Sequence, residues 1–459
     1  MTQVFPFRGF TYNKDKVKDY SKILTQPYDK IDDKMQKEYY KRSKYNHVRI
    51  TKPQEMKGDS QKNNKYTRAA QTLSEWIKSS VLKQDTTPTI YAYNQEYEVD
   101  GKKKVRKGFI ALGRLVEFGK GGVHPHERTL LAPKQDRFNM MMQTNASTGQ
   151  VFMLYSDPQL RINQIMNKIT SVANPDIVAK DDYDVVHKLW KIQDFGAIKG
   201  IQDVMADKEV FIADGHHRYE TALNYKNAMQ EKGMVCEGHE CFDNRMMTFV
   251  NMDDMEGLTV LPTHRIVYGL KKLSLPDLEK KLQKYFIIRE YLFMTPKDEP
   301  MVRQDFLNEL KSSGARAHCI GLVARGLSKY IMLVLRDDKI MDKVIKEQHS
   351  EAWKRLDVTI LHGLILDNLM GITKEKVEKE ENIHYIRGED AAIEEVKKGK
   401  NQMVFLLNPT KVREVKDIAG KGERMPQKST DFFPKLLSGI VISKMNFVKE
   451  PKLEPCIAK

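Results

Sequence analysis

The chain has 459 residues and a formal net charge of +15, with 40% hydrophobic and 9% aromatic residues. That is enough apolar material for two or three packed domains, and it excludes a wholly disordered chain. No run of about 18 apolar residues occurs, which argues against a helical membrane span. The first residues, "MTQVFPFRGFTYNKDK", lack the apolar stretch of a secretory signal, and four cysteines in so long a chain suit reduced thiols. The expected compartment is the cytoplasm. The basic residues are scattered, with short clusters such as "GKKKVRK" at 101–107. A positive field of this kind suits nucleic acid or small, highly charged anions, and charge alone does not choose between them.

Taken in chain order, the first hundred residues mix aromatics and basics. "QPYDKI" holds a turn at Tyr28-Asp29, and "HVRIT" (47–51) alternates like a strand. Residues 66–83 carry helical apolar spacing. The stretch from 89 to 118 predicts a β-hairpin turning at Asp100-Gly101. The glycine-rich "GKGGVHPHERTL" reads as a loop, followed by a helix over 133–143. Helical patterns follow at 158–170 and 182–205, then a short apolar strand at 210–213 that ends in "DGHHR". A helix continues from there with Tyr219, Ala222, Leu223 and Met229 on one face, and "MMTFVNM" reads as a strand. From about 273 the character changes: an amphipathic helix, a hairpin over 319–337 and a strand at "MVFLLN". The expected division is therefore 1–272 and 273–459, with an α+β (mixed α/β) fold class.

The junction "VFIADGHHRYETAL" carries the chemistry. A strand that turns through Asp-Gly into a helix offers free backbone N–H groups at the positive end of the helix dipole. Gly215 lets a ligand approach the backbone, while His216, His217 and Arg218 add donors suited to phosphate. Asp214 stands as a helix cap, a metal ligand or a base. GxxxxGK[ST] and the protein-kinase signatures are missing from the chain.

"IADGHHRYETAL" resembles the signature of the ParB/sulfiredoxin-like superfamily, and more narrowly the Asp-Gly-His-His-Arg form found in its free L-serine kinases. "PFRGF", "QPYDKI", "YNHVRI", "HPHERTL", "LPTHRIV", "LDVTILH" and "PQKSTDFFPKL" also resemble landmarks of a longer family of unknown function related to those kinases. Some members of that longer family are pyrophosphate-dependent serine kinases. The resemblance implies a ParB/sulfiredoxin-like catalytic domain with an additional α/β C-terminal domain. It implies transfer of a phosphoryl group from pyrophosphate to L-serine, giving O-phospho-L-serine for cysteine or serine metabolism. ATP or ADP is the alternative donor.

The resemblance also distributes roles. Glu127 in "PHE" becomes the general base and Asp214 the second catalytic acid. Gly215, His216, His217 and Arg218 become the phosphate site, with Mg²⁺ held mainly by the donor phosphates and Asp214 the carboxylate nearest that metal or the serine. Thr263, His264 and Arg265 in "LPTHR", with His126 and Arg8, fall on the substrate side, where Arg265 can grip a carboxylate bidentately. Lys428, Ser429, Thr430 and Lys435 either close over the donor phosphates or form a basic surface loop. A chemical need supports the base: an alkyl hydroxyl is a weak nucleophile at neutral pH. The expected partners are small molecules, with no membrane and no nucleic acid. A nucleotide-gated, ParB-like DNA-binding protein is the competing reading, weakened by the lack of a helix-turn-helix pattern. Cys236, His239 and Cys241 do not have zinc-finger spacing, and the 23 methionines read as core filler.

Overall fold

The computed structural model describes residues 2–127, 129, 131–271, 273–449 and 451, except the side chains of residues 131 and 132. The chain divides into two compact units: residues 1–259 with 434–459, and residues 260–433. This differs from the boundary expected at 272 in two ways. The "LPTHRIV" strand belongs to the second unit, and the chain past 433 returns to the first. The return has a physical cause in backbone pairing: Ser443 and Lys444 add antiparallel to Ser147 and Ala146, and Ile442 exchanges hydrogen bonds with Phe10.

The first unit is built on a mixed sheet of nine strands among the described residues: β1 (Val4–Phe5), β2 (Ile90–Val99), β3 (Lys102–Arg114), β4 (Val123–Pro125), β5 (Val151–Tyr155), β6 (Ile177–Lys180), β7 (Val186–Ile192), β8 (Val210–Asp214) and β9 (Asn244–Asn251). Their order is β4-β8-β5-β9-β3-β2-β7-β6, with β1 added to β3. Its helices include α1 (Lys65–Lys78), α2 (Leu131–Thr144), α3 (Arg161–Thr170), α4 (Phe195–Met205) and α5 (His216–Glu231). The hairpin at Asp100-Gly101 forms as its turn chemistry demands, with Val99 opposite Lys102. Two expectations fail. "HVRIT" is a helical turn, Val48–Thr51, entered through a side-chain turn in which Asn46 Oδ1 accepts from the Val48 N–H. The helical pattern over 182–205 is the strand β7 followed by α4. The β-branched and aromatic run "VVHKLWKI" pairs with β2 on one side and β6 on the other, so strand pairing outweighs the helical spacing.

One core cluster lies on the face of this sheet that α5 covers. Ile212 and Val210 of β8, Met153 of β5 and Phe249 of β9 meet Tyr219, Ala222, Tyr225 and Met229 of α5 there. At about 25 cal/mol per Å² of apolar surface, burial of this stripe fixes how α5 lies on β8.

The second unit is a six-stranded antiparallel sheet made of β10 (Thr263–Val267), β11 (Phe286–Leu292), β12 (Cys319–Ala324), β13 (Lys329–Leu335), β14 (Ile383–Arg387) and β15 (Met403–Leu407). The order is β11-β13-β12-β15-β10-β14. Two helices, α6 (Glu299–Gly314) and α7 (Glu389–Lys397), cover one face through Phe306, Leu310, Ile393 and Val396. Both units are mixtures of α and β structure, as expected. No helix among the described residues is long and apolar enough to cross a membrane.

Candidate active site

Three local features aim the side chains of "DGHHR". The first is a bulge in β8: Ile212 pairs with Met153 and Asp214 with Phe152, leaving Ala213 without a partner. An extra residue reverses the alternation of side chains. Asp214 therefore leaves the core face and joins Phe152 and Arg106, whose guanidinium lies 4.6 Å above the Phe152 ring. The second is Gly215, at φ +95°. A β-carbon there would sit 3.0 Å from Cζ and Nε of Arg218, so the turn requires glycine on grounds of both backbone and space. The third is the start of α5. Asn64 caps α1 and Asp194 caps α4, yet no side chain among the described residues caps α5. Asp214 is thus not the helix cap.

Asp214 sits in a cage of cations. One of its oxygens is 3.4 Å from Arg218 Nη2 and the other 3.1 Å from Lys435 Nζ. Burial opposes its ionisation, but Lys435, Arg218 and Lys30 outweigh burial and hold the carboxyl far below the ordinary carboxylate range. A group so reluctant to take a proton is a poor base near neutrality; its chemistry is to orient Arg218 and Lys435. Arg218 also donates to the Gln150 carbonyl. Lys435 arrives on the returning chain, whose Pro434 carbonyl accepts from Arg106 and whose Lys435 carbonyl accepts from Gln95.

Glu127 reaches the same turn from β4. That strand lies parallel to β8, with His124 opposite Phe211 and Pro125 opposite Ile212. The buried His216 ring then locks the segment: its Nε2 accepts from the N–H groups of His126 (3.2 Å) and Glu127 (3.3 Å). An Nε2 that accepts leaves the proton on Nδ1 in the neutral ring, and Nδ1 faces Glu127 Oε2 at 3.7 Å. His216, expected on the phosphate, faces back to the "PHE" segment. His126, expected on the substrate, is fully buried and packs edge-on against His216 at 4.7 Å. His217 is half-buried, and burial lowers its pKa against the pull of Glu220 and Asp29.

The other substrate candidates have partners of their own. Arg8 holds Glu240, at 2.8 Å through its backbone N–H and 3.2 Å through Nε, and so ties the N-terminal segment to the 239–241 loop. Thr263, His264, Arg265, Lys428, Ser429 and Thr430 all lie in the second unit. His264 is pushed down to about 3 by burial and then by Arg265, and its Nδ1 accepts from the Leu407 N–H. Arg265 donates to His362, to the Thr263 carbonyl and to the carbonyls of Gln427 and Lys428. That arginine is built into the fold, holding a turn in which Lys428 has φ +55°. Thr263, Arg265 and Ser429 line a cavity of about 450 Å³ within this unit. His318 and Asp357 line it too, 2.7 Å apart.

Sequence reasoning missed Arg106, Arg137, Arg245 and Lys30. Arg106 sits in the basic run at 101–107, Arg245 in an apolar strand pattern and Lys30 in the "QPYDKI" turn, and nothing local set them apart as site residues. Among the described residues no group of three His, Cys, Asp or Glu is placed for a metal, and both oxygens of Asp214 face cations.

Several solved structures are similar to this chain at low scores. A structure titled "Free serine kinase in complex with AMP" has 14% identity and a TM-score of 0.31, covering 70% of this chain and 89% of that one. A conserved hypothetical protein from Pyrococcus furiosus has 13% identity and a TM-score of 0.30, covering 72% and 92%. SbnI with a C-terminal truncation, from Staphylococcus aureus, has 10% identity and a TM-score of 0.32, covering 72% and 85%. These likenesses are too slight to carry a fold or an activity across. No curated protein matches the chain. The family described as "Protein of unknown function (DUF1015)" matches residues 4–359, and the chain belongs to that family.

Proposed function

We propose that the first unit is a ParB/sulfiredoxin-like phosphotransfer domain and that the chain is a free L-serine kinase using pyrophosphate. One observation carries this reading: parallel pairing of β4 with β8, locked by His216, brings Glu127 to the Asp214–Arg218 turn. The two acids stand in different surroundings. Asp214 is held ionised among cations, while Glu127 lies on a half-buried loop with His216 Nδ1 at 3.7 Å. Glu127 is the base and Asp214 the positioning group.

In this mechanism pyrophosphate binds at the start of α5, with Arg218 and Lys435 against its oxygens; Mg²⁺ enters on the pyrophosphate as part of the donor. The serine hydroxyl oxygen forms a bond to phosphorus as the bridging P–O bond breaks. Inorganic phosphate leaves, and Glu127 Oε takes the hydroxyl proton. Catalysis here is positioning and charge neutralisation, which the cationic turn supplies.

The test is phosphoserine formation from L-serine and Mg²⁺ with pyrophosphate, ATP or ADP supplied separately. Product from pyrophosphate alone, falling by about 10²–10⁴ in Glu127→Gln with an unchanged melting curve, is the expected result. Product only with a nucleotide moves the donor; no product from a folded chain removes the reaction.

A further inference from the structure

The first unit contains a second cluster of positive charge, of which the mechanism above uses only Arg218. Three guanidiniums, from Arg137 of α2, Arg218 of α5 and Arg245 of β9, line one cavity of about 30 Å³ together with Tyr28, Thr148 and Thr221. That space is enough for one or two waters, or for a group the size of a carboxylate. No Asp or Glu lines it among the described residues.

Arg245 is the unusual member. It is 5% exposed, and its partners are neutral: Ser147 Oγ at 2.7 Å, the Gly149 carbonyl at 3.0 Å and Met141 Sδ at 3.6 Å. Its Nε is buried with no acceptor. Burial, and then the like charge of Arg218, pull its pKa down to about 9. Arg137 is oriented by Asp136 and the Thr51 carbonyl and lies 4.1 Å over the Tyr28 ring. A buried, uncompensated cation costs several kcal/mol unless a counter-charge arrives. A buried donor left without an acceptor costs about 1–3 kcal/mol more.

We infer that the Arg137–Arg218–Arg245 cavity is a binding site for a small oxyanion group, completed by the ligand. If the serine-kinase reading holds, the group is the carboxylate of the amino acid or a phosphate of the donor. Arg218 joins this cavity to the transfer site, since its Nη2 is 3.4 Å from Asp214. Where the group is the carboxylate, the role expected of Arg265 passes to residues of the first unit.

Calorimetric binding of L-serine, L-serinamide and pyrophosphate to the wild type, Arg245→Met and Arg245→Lys tests the site without turnover. The expected result is at least tenfold weaker binding in Arg245→Met and a smaller loss in Arg245→Lys. Loss for serine with serinamide unaffected assigns the carboxylate; loss for pyrophosphate assigns the donor. A folded Arg245→Met chain that binds all three as the wild type does overturns the proposal. Should that variant fail to fold, Arg137→Gln must show the same selective loss for the site to stand. A chain that makes no phosphoserine but loses anion binding in Arg245→Met keeps the site and loses the reaction. One that makes phosphoserine with binding unchanged keeps the reaction and loses the site.

Discussion

Arg245 in the first unit and Arg265 in the second are both buried, and neither meets a carboxylate among the described residues. Arg265 is satisfied by its own chain: three carbonyls and an imidazole nitrogen accept from it. Arg245 has one nitrogen with no acceptor and lines a cavity shared with two more guanidiniums. A buried arginine that is saturated is a structural tie. One left incomplete in a cavity is a place for something else, and the distinction lies in the acceptor count rather than in the residue type.

The largest effect that sharpens this comparison is acid unfolding. Burial pushes His264 down to about 3, with help from Arg265, and pushes His47 down to about 4. In the unfolded chain both take a proton near pH 6.5. The unfolded state therefore binds more protons below that pH, so stability is complete above it and is lost as the pH falls toward each folded value. By pH 4 the loss is about 3 kcal/mol for each histidine, read by urea titration from pH 7 to pH 4. Arg265→Met should shrink the His264 share, since it removes a neighbouring charge. At pH 7 the same variant should cost about 3 kcal/mol in lost hydrogen-bond partners, with pyrophosphate binding within twofold of wild type. A binding loss there would erase the contrast between the two arginines.

Gly215→Ala comes next. A β-carbon at φ +95° against the Arg218 guanidinium should cost about 2 kcal/mol in thermal stability and weaken pyrophosphate binding along with it. Wild-type behaviour would mean that the turn relaxes freely and that Arg218 is not held by it. The smallest effect belongs to Arg8→Ala. The Arg8 side chain is 40% exposed, so its ion pair is worth below about 1 kcal/mol, and KM for serine should not move. A tenfold rise in KM would return Arg8 to the substrate side.

What the sequence made legible was local. The "DGHHR" junction is a strand, a glycine turn and a helix because each residue type there has one conformational use. The Asp100-Gly101 hairpin follows for the same reason. What stayed hidden was everything set by register and return. The bulge at Ala213 that turns Asp214 to the other face has no signature in "VFIAD". Arg245 sits inside "NRMMTFV", which reads as an ordinary strand. "LPTHR" looked like a ligand grip because three polar groups stand together, yet in three dimensions its arginine is spent on holding a turn. Lys435 could be nominated from its motif, but its pairing with Asp214 depends on the chain coming back to the first unit after 433.

That return also sets the order of assembly. Strand-like residues 443–444 and the Asp214 partner Lys435 are made only after all of 260–433 has been synthesised. The second unit is one continuous stretch and can fold as soon as it leaves the ribosome, whereas the first must wait with its cationic turn unfinished. Closing the first unit requires pairing residues some three hundred positions apart, the slow kind of contact in folding. Competence at the Asp214 turn is therefore among the last properties a newly made chain acquires, and a chain cut short before 434 has a complete second unit and no Lys435.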